Sequence, residues 1–96
     1  MRATVLYDQP ADPAAFDKYY SEVHIPLAKQ LPGLLRYTVS RGLRDKQYYL
    51  VAELDFESRE AIGAAFGSEI GKQTAADVEN FAAGASRSLI FEVEEV

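Results

Sequence analysis

The chain has 96 residues, a formal net charge of −5 at pH 7 and 48% hydrophobic residues, a composition typical of a globular domain. We therefore predict a single domain over residues 1–96. The chain contains no cysteine and one histidine, which excludes disulfides, a thiolate nucleophile and a zinc site built from cysteines or from several histidines of one chain.

Charge and apolar runs also restrict the expected partners and location. The basic residues are scattered through an acidic chain, so we expect no nucleic-acid partner. No run of about eighteen apolar residues is present, so we expect no membrane partner. The amino terminus MRATVLYD does not read as a signal peptide, and we expect a cytoplasmic location. We also expect no cofactor and no metal.

The first third of the chain predicts a strand followed by an amphipathic helix. The stretch RATVLYD alternates and is rich in β formers. Asp12 and Pro13 are a typical N-cap residue and first helical residue. From there apolar residues recur at helical spacing and predict a buried face that consists of Phe16, Tyr19, Tyr20, Val23 and Leu27.

The rest of the chain predicts two strands, a broken helix and a last strand. After the turn LPG, the runs LLRYTVSR and YYLVAELDF are joined by a polar hairpin connection at 42–46. Ser58 caps a second helix that runs to Phe66, and glycines at 67 and 71 interrupt it. Thr74 and Asp77 resemble the capping box of a short helix that ends at Gly84, and SRSLIFEVEEV predicts a fourth strand.

This order of elements predicts an α+β fold of the ferredoxin-like type, with both helical regions on one face of a four-stranded antiparallel sheet. Period two assigns the more apolar strand residues to the helix side: Val5, Tyr7, Leu35, Tyr37, Val39, Tyr48, Leu50, Leu54, Leu89 and Phe91. The opposite set mixes apolar with polar residues: Thr4, Leu6, Leu34, Arg36, Thr38, Tyr49, Val51, Glu53, Ser88, Ile90 and Glu92. We therefore predict a homodimer through sheet faces, in which Arg36 neutralises Glu53 or Glu92.

The only histidine lies in the stretch HIPLAKQLPG, four residues after Tyr20, so His24 shares the helical face that turns toward the sheet. Pro26 lacks the amide hydrogen that would bond the Glu22 carbonyl, and its ring disfavours helical geometry at Ile25. The helix is therefore predicted to kink or loosen around His24. A loosened turn opens a pocket whose aromatic walls and hydroxyl donors would be Tyr7, Tyr20, Tyr37 and Tyr48.

Structural explanations remain open for the same residues. A lone histidine on an apolar face is commonly a neutral side chain bonded to a backbone carbonyl. A proline near a helix end often only sets the direction of the chain. Tyrosines serve in cores and interfaces more often than in ligand sites, so the residues alone favour the structural explanation.

The segment FDKYYSEVHIPLAKQLPGLLRYTV resembles the EthD family in its aromatic helix, its histidine, the proline and leucine after it, and its PGL turn. The later segment VAELDFESREAIGAAFGSEIGKQTAADVENF is similar to that family in its glycine-interrupted helix, followed by an acidic residue and a phenylalanine. The resemblance covers nearly the whole chain and implies a ferredoxin-like protomer that pairs into a dimeric α+β barrel. It also maps the family's histidine onto His24, its aromatic positions onto Phe16 and Tyr20, and its helix-ending turn onto Pro32 and Gly33.

Two classes of function follow from these observations. One is a cofactor-independent enzyme that isomerises, dehydrates or cyclises a small aromatic, lactone or polyketide-like compound, with His24 as acid–base group and Tyr20 as catalytic hydrogen-bond donor. Its ligand would be bound by Tyr7, Phe16, Tyr37 and Tyr48. The other is a non-catalytic binding or accessory protein for a hydrophobic metabolite in a degradation pathway. Haem binding through His24 is a third possibility, but few basic residues lie nearby to support it.

Overall fold

The computed structural model describes residues 1–96 and has the predicted ferredoxin-like α+β architecture. Four strands form one antiparallel sheet in the order β2-β3-β1-β4: β1 (Arg2–Asp8), β2 (Arg36–Ser40), β3 (Tyr48–Asp55) and β4 (Ser86–Phe91). The helices are α1 (Pro13–Tyr19), α2 (Ile25–Ala28), α3 (Arg59–Gly67), α4 (Glu69–Asp77) and α5 (Glu79–Ala82), and a π-helical turn (Tyr20–His24) connects α1 with α2. A core of 13 buried residues lies between the sheet and the helices. None of the helices has the length and apolar character needed to cross a membrane.

The first helical segment begins as predicted and then widens. The Asp12 side chain accepts a hydrogen bond from the Ala15 N–H at 3.1 Å, which caps α1. In the π-helical turn the Ile25 N–H donates to the carbonyl of Tyr20, and Pro26 follows without an N–H of its own. The loosening predicted around the histidine is therefore confirmed.

This π-helical turn changes which side chains face the sheet. In a regular α-helix each four-residue step drifts by about 40° around the axis, so positions four apart leave one face within a few steps. A wider turn opposes that drift, and residues at four-residue spacing are all buried: Phe16, Tyr20, His24 and Ala28. Val23 was predicted on the buried face, but the added residue in the turn leaves it 40% exposed.

The second helical region breaks at Ser68, between the two glycines that were predicted to interrupt it. Ser58 caps α3 as predicted, with its hydroxyl accepting a backbone N–H of the first turn at 3.1 Å. The Ser68 hydroxyl accepts the Gly71 N–H at 3.1 Å and so starts α4. The capping box predicted at Thr74 is wrong, because Thr74 lies inside α4 and its hydroxyl donates to the Ile70 carbonyl at 2.8 Å.

Cross-strand partners share one face of a sheet, so the register decides which side chains meet the helices. The helix side is confirmed for Val5, Tyr7, Tyr37, Val39, Leu50 and Leu54. Strand β4 is opposite to the prediction: Ser88 and Ile90 pair with β1 residues on the helix side, whereas Leu89 and Phe91 lie on the open face. All three apolar residues of this edge strand are exposed, Leu89 by 53%, Ile90 by 59% and Phe91 by 40%. The hydrogen-bonded register with β1 decides which face each residue of this edge strand occupies. The alternation of apolar residues therefore assigned its two faces wrongly.

The start of β3 departs from regular alternation. Residues 7 and 8 of β1 pair with Leu50 and Tyr48, so Tyr49 is an extra residue in a β-bulge. Tyr49 was predicted on the open face, but its ring packs against Phe16 with centroids 5.4 Å apart. Its hydroxyl donates to the Asp17 carboxylate of α1 at 2.9 Å.

The open face and the chain before β2 correct two further expectations. Glu53 pairs with Arg2, with 3.3 Å between the guanidinium nitrogen and the carboxylate oxygen, and Arg36 makes no ion pair with either predicted glutamate. Leu35 was predicted on the helix side but precedes the strand and is 68% exposed. Leu34 packs against the buried core in its place.

Candidate functional site

A cavity of about 220 Å³ lies between the sheet and the helices, beside α4 and β4. Fourteen residues line it, of which 10 are hydrophobic, and none is Lys, Arg, Asp or Glu. Its polar side chains are His24 from the π-helical turn, Tyr37 from β2, Thr74 from α4, and Ser86 and Ser88 from β4. The structure therefore brings two sequence-predicted residues, His24 and Tyr37, to one cavity.

The histidine is bonded to a carboxylate that is far away in the sequence. His24 Nδ1 lies 3.0 Å from Asp77 Oδ2, and the two side chains are only 6% and 8% exposed. Asp77 also accepts hydrogen bonds from the Tyr19 hydroxyl at 2.5 Å and the Asn80 amide at 3.0 Å. When Nδ1–H donates to this carboxylate, the Nε2 atom of His24 carries the lone pair that is left for a ligand.

The environment of this pair fixes its charges. Burial lowers the pKa of His24, although the Asp77 carboxylate acts in the opposite direction, so the imidazole is neutral at pH 7. For Asp77, burial by itself raises the pKa, but hydrogen bonds from Tyr19, Asn80 and His24 outweigh it and the pKa is lowered. A neutral imidazole held by an ionised carboxylate is the arrangement that a general base requires.

Tyr20 connects the histidine with Tyr37. The Tyr20 and His24 ring centroids are 5.3 Å apart, and the Tyr20 hydroxyl lies 2.7 Å from the Tyr37 hydroxyl. Burial raises the pKa of both phenols, so both stay protonated. Tyr20 is fully buried and does not line the cavity. It is placed to position Tyr37, because a Tyr20 hydroxyl that donates to Tyr37 leaves the Tyr37 proton for a ligand.

The other predicted ligand-binding residues lie elsewhere. Tyr7 and Phe16 belong to the buried core, where their ring centroids are 5.7 Å apart. Tyr48 lines a surface groove at the β2–β3 connection together with Arg41 and Lys46. The structure does not bring these three aromatic residues to the cavity, because the core around α1 takes up two of them and the β-bulge redirects the third.

Asp77 and Phe81 are the site residues that sequence reasoning missed. The Phe81 ring lies 4.8 Å from the His24 ring and 5.6 Å from the Tyr20 ring, so it covers the imidazole from the side of α5. Their spacing of four residues, in the segment that resembles the EthD family, is the signal that would have placed them on one helical face. No group of three His, Cys, Asp or Glu side chains is arranged to hold a metal ion.

Comparison with known proteins adds three relatives. A protein of Rhodococcus erythropolis described as an uncharacterized 11.0 kDa protein in the thcB-thcC intergenic region is 41% identical over 99 residues, which cover 99% of this chain and 96% of that protein. The crystal structure of an ethyl tert-butyl ether d (EthD) family protein from Bacillus halodurans superimposes with a TM-score of 0.92 at 31% identity and covers 97% of both chains.

The third relative shares the fold at lower similarity. SnoaB, a cofactor-independent oxygenase from Streptomyces nogalater, superimposes with a TM-score of 0.71 at 19% identity, over 99% of this chain and 92% of that chain. The EthD domain family itself matches residues 8–85. This chain therefore belongs to the EthD family.

Proposed function

We propose that this protein is a cofactor-independent enzyme that performs acid–base chemistry on a small aromatic, lactone or polyketide-like compound. The observation that carries this proposal is the hydrogen bond of 3.0 Å between His24 and the buried carboxylate of Asp77, at the wall of a largely apolar cavity. A positioned neutral imidazole accepts protons efficiently, because its ordinary pKa lies close to neutrality. Isomerisation, dehydration and cyclisation are the reactions that such a group supports.

The reaction begins at a carbon next to a carbonyl group. His24 Nε2 takes the proton, the Asp77 carboxylate stabilises the imidazolium that forms, and the Tyr37 hydroxyl donates a hydrogen bond to the enolate oxygen. Return of the proton to a different carbon completes an isomerisation. Departure of a hydroxyl group that takes the imidazolium proton completes a dehydration. Attack of the enolate carbon on a second carbonyl, whose oxygen then takes the imidazolium proton, completes a cyclisation. Electrons stay within the substrate in all three reactions.

The fold supports a small-molecule role without selecting the reaction. It is shared with SnoaB, which is named as a cofactor-independent oxygenase. Oxygenation without a cofactor requires the substrate itself to supply electrons to oxygen, whereas proton transfer requires only the groups around His24. Proton transfer is therefore the reaction that we assign to this cavity.

The test is deuterium exchange into 2-tetralone, a neutral two-ring ketone with acidic protons beside its carbonyl. NMR in D₂O follows the loss of those protons with and without the protein. We expect exchange above the buffer rate, and we expect His24→Gln to lower it by about 10²- to 10⁴-fold, since general base catalysis contributes that much. Glutamine retains a hydrogen-bonding side chain, and urea unfolding of the variant shows whether the fold is intact. Equal exchange by the wild type and His24→Gln would refute the proposal.

A non-catalytic binding or accessory protein for a hydrophobic metabolite is the second candidate function. The observation that favours it is the lining of the cavity, in which 10 of 14 residues are hydrophobic and none is Lys, Arg, Asp or Glu. In that case 2-tetralone would bind and shift the His24 resonances, but the wild-type protein would not accelerate exchange above the buffer rate.

A homodimer through the open face of the sheet is part of the same proposal. Leu89 and Phe91 lie on this face, 53% and 40% exposed. The Thr4 side chain, which pairs with Leu89 across the strands, is buried and its hydroxyl has no hydrogen-bond partner. Exposed apolar side chains beside an unsatisfied hydroxyl favour a covered surface, and a second copy supplies a face of matching size and character.

Sedimentation velocity tests the dimer. We expect wild-type protein to sediment with the mass of two chains and Leu89→Asp to sediment as one chain, because a buried unpaired carboxylate opposes association. Val96→Asp is the matched control, since Val96 is fully exposed at the end of the chain and outside the sheet. A monomeric wild type, or a dimer that Leu89→Asp leaves intact, would contradict the proposed interface.

A further inference from the structure

The cavity also restricts the compound that it takes. We propose that its ligand is a neutral compound of one or two rings that carries a polar group at each of two opposite ends. This inference rests on the proposed function in one respect, since it takes the His24 cavity as the substrate site. It goes further by excluding three-ring and carboxylate compounds.

The volume sets the size of the ligand. An apolar cavity of about 150 Å³ accommodates benzene, so the cavity of about 220 Å³ accommodates roughly nine to twelve non-hydrogen atoms. A substituted single ring or a two-ring compound has that size. A three-ring polyketide or a haem does not fit without displacing the side chains that line the cavity, and interiors resist such displacement.

The charges around the cavity set the charge of the ligand. No Lys or Arg side chain lines the cavity, so a bound carboxylate would have no cation beside it. The Asp77 carboxylate behind His24 is itself negative, and Arg41, whose charge acts to lower the pKa of Tyr37, does not line the cavity. An anion would therefore lose its hydration without gaining a counter-charge, and a neutral ligand avoids this cost.

Apart from Thr74, whose hydroxyl is bonded to the Ile70 carbonyl within α4, the polar side chains of the cavity lie at two ends. The inner end consists of His24 and Tyr37, which are linked through Tyr20. The β4 end consists of Ser86 and Ser88, whose hydroxyls form no hydrogen bond within the chain.

Strands β2 and β4 are the two edges of the sheet, so their backbones are separated by three strand spacings, or about 14 Å. Side chains reach inward from both edges and shorten that gap. Apolar side chains of the two central strands form the floor between the two ends: Ala3, Val5, Ala52 and Leu54. A flat ring system with polar groups at both ends fits this arrangement, because Ser86 and the exposed Ser88 have no partner within the chain and their hydroxyls are free to bond a polar group of the ligand.

Four probe compounds test separately the size of the ligand, its charge and its second polar group. They are 2-naphthol, 2,6-dihydroxynaphthalene, 6-hydroxy-2-naphthoate and the three-ring 1,8-dihydroxyanthrone, and the imidazole NMR resonances of the single histidine report their binding. We expect the two neutral naphthols to bind and the naphthoate and the anthrone to bind at least tenfold more weakly. The second hydroxyl of 2,6-dihydroxynaphthalene should improve its affinity over 2-naphthol by about two- to tenfold, as one hydrogen bond does.

Two sets of variants place the ligand in the cavity. The double substitution Ser86→Ala and Ser88→Ala should remove the advantage of the second hydroxyl while leaving 2-naphthol affinity nearly unchanged. Ala75→Leu fills the mouth of the cavity from α4 and should abolish binding of both naphthols. Ala76→Leu is its matched control, because Ala76 is exposed on the same helix and does not line the cavity.

The outcomes separate this inference from the proposed function. The inference would be overturned if the naphthoate or the anthrone bound more tightly than the two naphthols. It would also be overturned if neither naphthol bound. A third contradicting result is a higher affinity for 2,6-dihydroxynaphthalene than for 2-naphthol that persists in the double serine variant. His24-dependent exchange of a three-ring or carboxylate ketone would then still support the enzyme. Conversely, naphthol binding as expected together with tetralone exchange that is indifferent to His24 would retain the ligand class and reject the acid–base role.

Discussion

The two ends of the cavity differ in how far their polar groups are already bonded. At the inner end, His24 is bonded to Asp77 and Tyr37 is bonded to Tyr20, all inside a layer of packed aromatic rings. At the β4 end, the Ser86 and Ser88 hydroxyls have no partner within the chain and belong to an edge strand. The inner end is part of the folded structure, whereas the β4 end is available to a ligand.

This difference teaches how a small domain supports a reactive group. Buried polar groups are costly unless they are hydrogen-bonded, so a histidine in the core requires a partner that the fold itself supplies. Asp77 is that partner, and the break between α3 and α4 brings it there. Substitutions at the inner end should therefore reduce stability, and substitutions at the β4 end should change binding alone.

Gly71→Ala should have the largest effect, because it separates α3 from α4, the helix that carries the Asp77 partner of His24. A Cβ atom at this position would meet the Ala65 carbonyl oxygen and lie within 2.5 Å of the Phe66 Cα. Backbone atoms cannot move aside as flexible side chains do, so we expect a loss of about 3 kcal/mol or more in the free energy of unfolding. Urea unfolding measures it.

The matched control for that substitution is Gly63→Ala. A Cβ atom at Gly63 would meet nothing within 4 Å, and the residue lies inside α3. Alanine is the better helix former, so the control should stabilise the protein by about 0.5–1 kcal/mol. If both substitutions changed stability by the same amount and sign, the close contact between α3 and α4 would not be what positions Asp77.

Tyr37→Phe should have the next largest effect. It removes the hydrogen-bond partner of the fully buried Tyr20 hydroxyl, and an unpaired buried hydroxyl costs about 1–3 kcal/mol. Tyr20→Phe removes the same hydrogen bond but leaves the unpaired hydroxyl on Tyr37, which borders the cavity and can bind water. Thermal unfolding of both variants should show the larger loss for Tyr37→Phe. The reverse order would mean that Tyr20, and not Tyr37, is the residue with access to the cavity.

Local signals in the sequence were enough to predict the order of elements and the family. The Asp12 and Ser58 caps act within three residues along the chain, and the structure confirms both. The inward histidine and the loosened helix follow from Pro26 and from helical spacing, which are also local. These local predictions were confirmed, whereas the capping box at Thr74, which is also a local pattern, was wrong.

Long-range features could not be predicted in the same way. The partnership of His24 with Asp77 spans 53 residues, and Asp77 lies at the end of α4 rather than in the first turn of a helix capped by Thr74. The phase of β4 depends on its register with β1, and an edge strand with apolar residues on both faces gives no reliable phase of its own. Both features determine the cavity, which explains why only part of the site was predicted.

The titration of His24 at the inner end should make stability depend on pH, and this effect should be smaller than those of the substitutions above. Burial lowers the pKa of His24 from its ordinary value of 6.5, so the unfolded chain takes up a proton at a higher pH than the folded chain. The contribution of His24 to the free energy of unfolding should therefore be greatest above about pH 6.5. It should fall as the pH decreases below that value, by at most about 1.4 kcal/mol per pH unit.

His24→Gln is the variant that isolates this contribution, because it removes the only group of the chain with an ordinary pKa of 6.5. Urea unfolding between about pH 5 and pH 7.5 should show a flatter dependence for the variant than for the wild type. The stabilising contribution of Asp77 lies outside that window, since its pKa is lowered from 3.8 and its effect is lost only in stronger acid. A wild-type slope that the substitution leaves unchanged would mean that His24 titrates as it does in water.

The smallest effect on stability should come from the β4 end. Ser86→Ala and Ser88→Ala remove hydroxyls that bond to nothing within the chain, so each should change the free energy of unfolding by no more than about 0.5 kcal/mol. Urea unfolding checks this, with Thr74→Val as the comparison, because the Thr74 hydroxyl donates to the Ile70 carbonyl at 2.8 Å. A loss above about 1 kcal/mol from either serine would show that its hydroxyl serves the fold and would remove the distinction between the two ends. A change near zero would leave those hydroxyls free to bond a ligand, and the affinity of the double serine variant for 2,6-dihydroxynaphthalene then decides whether they do.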